Sequence, residues 1–322
     1  MKIAVLSDVH ANDLALDAVI RDAQAQGCET FWFLGDLVGR GPRPQQTLQK
    51  MYELYQECDP RSWLIGNHDM MVLGRMQADH FVQTLGENEP RATTSITGTS
   101  DPIVKVNEMH RRVVFAPENE MYRAWLEELP TYSKPRAHFF IAHGAYVMNR
   151  TEHEVDAAMT YREYTWVGEQ VKNQIADLRE FSFSAPHVIA VGHSHVPTLW
   201  QWPKGDTNPT LLWGWGKVRD VQPKLSHQEV FSRGEEQREL RFENLDESPI
   251  YFNPGSVGFP RLLNTCPTYV VMTIHSATDV ALQFREVPYD WRPYVESQIR
   301  GTQIDDWYPP NFLNELKQCQ DF

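Results

Sequence analysis

The same local plan recurs along the chain: a short apolar run, a sharp turn, and then a polar side chain that can bind a ligand. The first run is Ile3–Leu6, followed by Asp8 and His10, and the second is 31–34, followed by Asp36. Runs of this length and composition are typical of buried strands. In an open α/β sheet, ligands bind at the carboxyl ends of the strands. We therefore expect these polar side chains to gather at one edge.

Three further runs, at residues 62–65, 137–142 and 188–191, follow the same plan. The polar side chains after them are Asn67, His68, Asp69, His143, His193 and His195. Where two such residues stand two apart, as Asp8 and His10 do, extended backbone points both at one object. A mixed set of carboxylate and imidazole ligands suits Mn, Fe, Zn or Co. The pattern therefore predicts a metal site.

Taken singly, these features have simpler interpretations. Asp8 also fits a loop that caps the next helix. Arg40 lies in a glycine-rich loop, where it can grip a phosphate oxygen or simply be an exposed loop residue. His110 has no partner pattern and is interpreted as structural. Only the combination of motifs separates these alternatives.

Composition and charge exclude several classes of protein. The chain has 322 residues, 41% of them hydrophobic, which supports a sizeable core. Its net charge of −13 argues against binding to long nucleic acid or to an anionic membrane. No apolar stretch approaches the about 20 residues of a membrane helix, and no signal-peptide pattern is present. The four cysteines show no paired spacing, which fits a reducing compartment, so we expect a cytoplasmic location.

The chain shows no linker, repeat or low-complexity tract. We therefore expect a single domain over residues 1–322, with a cap or loop region at 70–117 and an insertion at 203–248. Strands and helices alternate over the first 70 residues, which indicates an α/β (α+β) fold. Residues 268–274 and 280–287 are expected to close it as an antiparallel pair.

In this order, the motifs resemble those of the calcineurin-like metallophosphoesterase superfamily, which are DxH, GDxxxxG, GNHD or GNHE, a lone His, and GHxH. The matching residues are Asp8, His10, Asp36, Asn67, His68, Asp69, His143, His193 and His195. The loop at 35–42 and the turn at 253–258 look like those of the small bacterial branch, which is similar to phosphodiesterases and diadenosine tetraphosphatases.

The resemblance implies a four-layer αββα sandwich of two mixed β-sheets flanked by helices, with two metal ions at the strand ends. One metal would take Asp8, His10, Asp36 and His195, and the other would take Asp36, Asn67, His143 and His193. Mn is the first choice, and Fe, Zn, Ni or Co are also admissible.

The resemblance also implies a reaction. A phosphodiester or phosphomonoester would be hydrolysed by in-line attack of a hydroxide that bridges the metals. His68 would protonate the leaving oxygen, Asp69 would orient its ring, and Arg40 would hold phosphate oxygens. The expected partner is a small phosphorylated substrate such as a nucleotide.

Alternatives remain open. Protein Ser/Thr phosphatases share Arg40, but they carry an aspartate where this chain has Gly39 and a glutamate in place of Asp69. A dinucleoside polyphosphate hydrolase fits the same motifs. A catalytically idle metal-binding scaffold would typically have lost ligands or His68, and this chain has lost none. Oligomeric state is not predicted.

Overall fold

Two β-sheets pack against each other in the computed structural model, which describes residues 1–75, 102–144, 186–202, 210–214, 239–260 and 266–293. The strands are β1 Lys2–Leu6, β2 Thr30–Phe33, β3 Tyr132–Arg136, β4 Phe139–Ala142, β5 Val188–Val191, β6 Thr198–Gln201, β7 Thr210–Gly214, β8 Leu240–Phe242, β9 Ile250–Asn253, β10 Thr268–Ile274 and β11 Val280–Glu286. The helices are α1 Asp13–Ala25, α2 Pro44–Gln56, α3 Asn67–Leu73, α4 Pro102–Val114 and α5 Glu120–Glu128.

Both sheets are mixed. The first has the order β2-β1-β10-β11-β8, in which only β1 and β2 run parallel. The second has the order β3-β4-β5-β9-β6-β7, with β4, β5 and β9 parallel. The predicted pair at 268–274 and 280–287 is confirmed as β10 and β11.

Alternation along β1 explains the layers. Ile3 and Val5 point into the core between the two sheets, whereas Ala4 and Leu6 point into the core beneath the helices. Successive strand residues face opposite sides, so a strand that is buried on both faces is apolar throughout. The predicted α/β architecture of two packed mixed sheets with helices outside is thereby confirmed.

The prediction of a strand at residues 62–65 is wrong. Ser62 ends a short 3₁₀ helix, and Trp63 forms only an isolated bridge to Phe33. Leu64 N donates to Phe33 O and Ile65 N donates to Pro130 O, each at a distance of 2.9 Å. The segment is extended and buried, but its hydrogen bonds go to two different partners, so no continuous ladder forms.

The regions predicted as cap and as insertion contribute regular structure. Residues 102–114 form α4, and its last residue, Val114, is fully buried in the helix-side core. The described ends of residues 203–248 add β7 to one sheet and β8 to the other. The single-domain organisation of residues 1–322 stays a prediction.

The structure bears on two expectations from composition, those about membrane helices and about cysteines. Within the described residues, no helix is long and apolar enough to cross a membrane. Cys28 and Cys58 are free thiols, but Cys266 is disulfide-bonded, which the cysteine spacing did not predict. The cytoplasmic location stays a prediction.

Candidate metal centre

The loops after β1 and β2 run side by side beyond the ends of their strands. Asp8 N donates to Gly35 O over 2.9 Å, and His10 N donates to Asp36 O over 3.0 Å. Parallel pairing of β1 and β2 therefore continues into the loops. It places Asp8, His10 and Asp36 next to one another at the carboxyl edge, as the strand-end argument predicts.

Most of the predicted ligands have an unusual backbone conformation. The residues with left-handed φ are Asp8 (56°), His10 (49°), Asp36 (61°), His193 (66°) and His195 (60°). This region is disfavoured for residues other than glycine, and such strain clusters at functional sites. The expectation that Asp8 and His10 converge through extended backbone is wrong in its reason, because tight left-handed turns bring them together.

The predicted ligands form two buried groups. Ligand atoms of Asp8, His10, Asp36 and His195 lie within 4.8 Å of one another, and so do those of Asp36, His143 and His193. Asn67 Oδ1 extends the second group, since it lies 2.9 Å from His143 Nε2 and 3.1 Å from His193 Nδ1. Asp36 belongs to both groups. All seven residues are brought together in the two sets that the resemblance implies.

Backbone carbonyls determine the tautomers of three of these histidines. Nδ1 donates from His10 to Val38 O, from His143 to Leu34 O and from His195 to Phe259 O, over 3.1, 2.7 and 2.6 Å. A carbonyl oxygen only accepts, so Nδ1 must carry the proton. In the neutral ring, Nε2 then presents a lone pair to the centre, which is the usual arrangement of metal-ligating histidines.

These lone pairs crowd against other acceptors. His10 Nε2 lies 3.1 Å from His195 Nε2, and His143 Nε2 lies 3.3 Å from Asp36 Oδ2. Among the described residues, Asp36 Oδ2 has no hydrogen-bond partner although it is buried. Burial lowers the pKa of His143, but the negative charges of Asp36 and Asp8 and the hydrogen bond to Leu34 O together raise it to about 9. A positive charge is needed between these atoms, and a metal pair with nitrogen and oxygen ligands fits.

Asp69 takes a different place from the one predicted. Its Oδ1 accepts from Leu37 N and Val38 N, each over 2.9 Å, and its Oδ2 accepts from Gly66 N over 3.0 Å. Asp69 therefore does not hold the ring of His68, whose Nδ1 has no hydrogen-bond partner in the described part of the chain. Instead, the carboxylate ties the loop after β2 to the start of α3.

Burial and the nearby charge of Asp36 raise the pKa of Asp69 to about 7, while the three backbone donors lower it. We expect Asp69→Asn to reduce the free energy of unfolding by about 1–3 kcal/mol, because its amide leaves a buried backbone N–H without an acceptor. Denaturant titration of the metal-free protein measures this. Asp59→Asn, at an exposed acid, is the control and should change it by less than about 0.5 kcal/mol. Equal stability of both variants would contradict the assignment.

His68 lies at the edge of the first ligand group. Its ring centroid is 5.0 Å from that of His10, edge to face, and its side chain is buried. Burial lowers the pKa of His68 well below its usual value, the charge of Asp36 opposes this, and Arg40 adds to it. A Cβ atom on Gly39, where φ is 98°, would lie 2.4 Å from Cβ of His68. Only glycine therefore permits the loop to pack on His68.

Arg40 is half-buried beside the same group. Its guanidinium carbon lies 4.7 Å from the centre of the Phe259 ring, a cation–π contact. The ring of Phe259 in turn meets the edges of His10 and His195, at 6.2 and 5.8 Å. Arg40, which is predicted to bind phosphate oxygens, therefore lies next to the candidate metal ligands.

The turn after β9 supports the centre, and the motifs did not predict this role. Asn253 Nδ2 donates to Gly192 O over 2.6 Å, and Ser256 Oγ donates to Asp8 O over 2.9 Å. Phe259 adds the carbonyl that accepts from His195. The strand-end rule applied to β9 would have identified Asn253, whereas Phe259 carries no such signal.

Comparison with known proteins agrees with this geometry. The sequence profile described as calcineurin-like phosphoesterase matches residues 1–197. An uncharacterized protein of Methanocaldococcus jannaschii is 40% identical over 317 residues, which cover 95% of this chain and 94% of that protein. A metallophosphoesterase structure from Sphaerobacter thermophilus shares the fold, with a TM-score of 0.59 and 21% identity over 99% of this chain and all of that one.

A third relative matches a much shorter part of the chain. The symmetrical bis(5'-nucleosyl)-tetraphosphatase of Vibrio cholerae is 31% identical over 77 residues, which cover 24% of this chain and 28% of that protein. The profile match spans more than half of the chain and includes every predicted ligand. The chain therefore belongs to the calcineurin-like phosphoesterase family and is a hydrolase of phosphate esters.

Proposed function

We propose that this protein is a dinuclear-metal phosphoesterase that hydrolyses a small phosphodiester or phosphomonoester. One observation carries the proposal: two buried groups of ligand atoms share the carboxylate of Asp36. A bridging carboxylate is typical of two-metal hydrolytic sites, where the ions lie about 3.5–4 Å apart. Proteins rarely bury so many acceptors together without a cation.

The first ion would be held by Asp8, His10, Asp36 and His195, and the second by Asp36, Asn67, His143 and His193. The donor set contains no thiolate, which favours Mn first and admits Fe, Zn, Ni or Co. When bound, the two ions would lower the pKa of a water molecule and neutralise charge on the phosphate oxygens.

The remaining roles belong to His68 and Arg40. Burial keeps His68 neutral in the free protein. A phosphate anion beside the ring would favour its protonated form, because an opposite charge raises a histidine pKa. His68 would then hold a proton at the leaving oxygen. Arg40, supported by Phe259, would bind the non-reacting phosphate oxygens in its fork of N–H donors.

A dinucleoside polyphosphate is the second candidate substrate. It is favoured by the partial likeness to a bis(5'-nucleosyl)-tetraphosphatase, which covers 24% of the chain. A protein Ser/Thr phosphatase activity is less well supported, because Gly39 replaces the aspartate of that group. The net charge of −13 also favours a small substrate over long nucleic acid.

We expect the metal-stripped protein to be inactive and to regain turnover when Mn(II) is added. The assay uses bis-p-nitrophenyl phosphate, p-nitrophenyl phosphate and diadenosine tetraphosphate in parallel, and the ratio of rates defines the substrate class. Excess chelator should abolish activity for all three. If two metal ions bind and none of the three is hydrolysed, the idle scaffold replaces the enzyme.

A further inference from the structure

His110 contacts the backbone on both sides of Arg40. It lies on α4 and is fully buried. Gly39 N donates to His110 Nδ1 over 2.8 Å, and His110 Nε2 donates to Gly41 O over 2.7 Å. Both ring nitrogens are thus used on one short loop, and Arg40 is the residue between the two contacts.

We propose that His110 is a positioning residue for phosphate binding: it clamps the Gly39–Gly41 loop so that the guanidinium of Arg40 stays at the metal centre. This inference rests on the proposed function, because it assigns to Arg40 the binding of the substrate phosphate. His110 itself would not touch the substrate.

The two contacts select a single form of the ring. The N–H of Gly39 requires an acceptor at Nδ1, and the carbonyl of Gly41 requires a donor at Nε2. Only one neutral tautomer satisfies both, and a second proton on Nδ1 would break the first bond. Burial lowers the pKa of His110 to about 4, so the clamp is intact at neutral pH.

The loop has a need for such a clamp. Two glycines flank Arg40, and glycine gives a loop more backbone freedom than any other residue. A free loop would let the guanidinium sample many positions, and binding phosphate would then cost conformational entropy. Contacts on both sides of Arg40 remove that cost before the substrate arrives.

The clamp also connects Arg40 to the helix that carries His68. Arg111, next to His110, donates from Nη1 to Val72 O over 3.2 Å, so α4 is joined to α3. Gly39, which precedes Arg40, packs directly on His68, since a Cβ atom on Gly39 would lie 2.4 Å from Cβ of His68. The cation–π contact with Phe259 limits its movement on the other side.

The test compares His110→Leu, His110→Gln and Arg40→Ala with the double variant His110→Leu/Arg40→Ala. The measured quantities are KM and kcat for bis-p-nitrophenyl phosphate, the number of Mn ions bound per chain, and the affinity of the Mn-loaded protein for inorganic phosphate by calorimetry. We expect His110→Leu to raise KM and the dissociation constant of phosphate by roughly tenfold, with a smaller change in kcat and an unchanged Mn content. His110→Gln, whose amide offers one acceptor and one donor, should restore phosphate binding.

Non-additivity decides the outcome. If His110 acts through Arg40, His110→Leu should weaken phosphate binding by less than about twofold further once Arg40 is alanine. An equal loss of phosphate binding in both backgrounds, or loss of bound Mn, would overturn the inference. His110 would then act on the metal ligands and not through Arg40. Should His110→Leu not fold, His110→Met takes its place in the cycle. Failure of the unaltered protein to turn over any ester would instead defeat the proposed function.

Discussion

Asp36→Asn is expected to reduce hydrolysis of bis-p-nitrophenyl phosphate by more than about 100-fold, the upper value for losing an outer partner of a metal ligand. The effect is large because Asp36 belongs to both ligand groups, so its loss weakens two ions at once. Asparagine keeps the shape and an oxygen that can accept from His68 N, which Asp36 Oδ1 does over 2.7 Å. Activity assays and metal analysis by mass spectrometry measure the result.

The same substitution separates function from folding. In the metal-free protein, Asp36→Asn should change the free energy of unfolding little, because it removes both the attraction of Asp36 to His143 and its repulsion with Asp69. Asp17→Asn is the matched control, since Asp17 is a partly exposed acid on α1 paired with Lys50. Two bound metals and parental turnover in Asp36→Asn would refute the shared-carboxylate site.

His68→Gln is expected to lower kcat by about 10²–10⁴-fold, the usual contribution of a general acid, while both metals stay bound. His68 is not in either ligand group, and its ring lies against His10 at the edge of the site. The loss of kcat should be largest for alkyl phosphate esters and smallest for p-nitrophenyl esters. A poor leaving group such as an alkoxide depends most on a proton supplied to its oxygen. A series of esters with graded leaving-group pKa measures this.

His138→Gln is the control for this series. His138 precedes β4, at the opposite end of the strand from His143, and it stacks on His187 at a centroid distance of 4.1 Å. It should retain parental kcat for every ester. An equal loss in His68→Gln across all leaving groups would show that His68 does not supply the proton.

The strands around the site were predictable because their signal is local. Apolar runs of four residues with glycine after them mark β2 and β5, whatever they pack against. Residues 62–65 have the same composition but form no ladder, since their hydrogen bonds go to Phe33 and Pro130. Whether an extended segment becomes a strand depends on its neighbours, which local composition does not specify.

Contacts between residues that are remote in sequence were not predictable. Asp69 binds Leu37 and Val38 across about thirty positions of sequence, and the clamp from His110 to Gly39 spans about seventy. No periodicity or spacing rule reaches that far. Asp69 was predicted to orient the ring of its neighbour His68, because adjacency in sequence was the only information that the motif provided.

The sequence by itself determined the types and order of the candidate ligands, and it placed all of them except Asn67 after strands, because apolar runs form strands and polar turns stop them. The family resemblance implied two groups of candidate ligands, but only the tertiary structure decided the distances and orientations within them. Left-handed turns at residues such as Asp8 and His193 aim the side chains inward, and packing of the two sheets brings Asp36 into both groups. Distances between residues remote in sequence arise from the packing of the whole chain, and they turn separate motifs into one site.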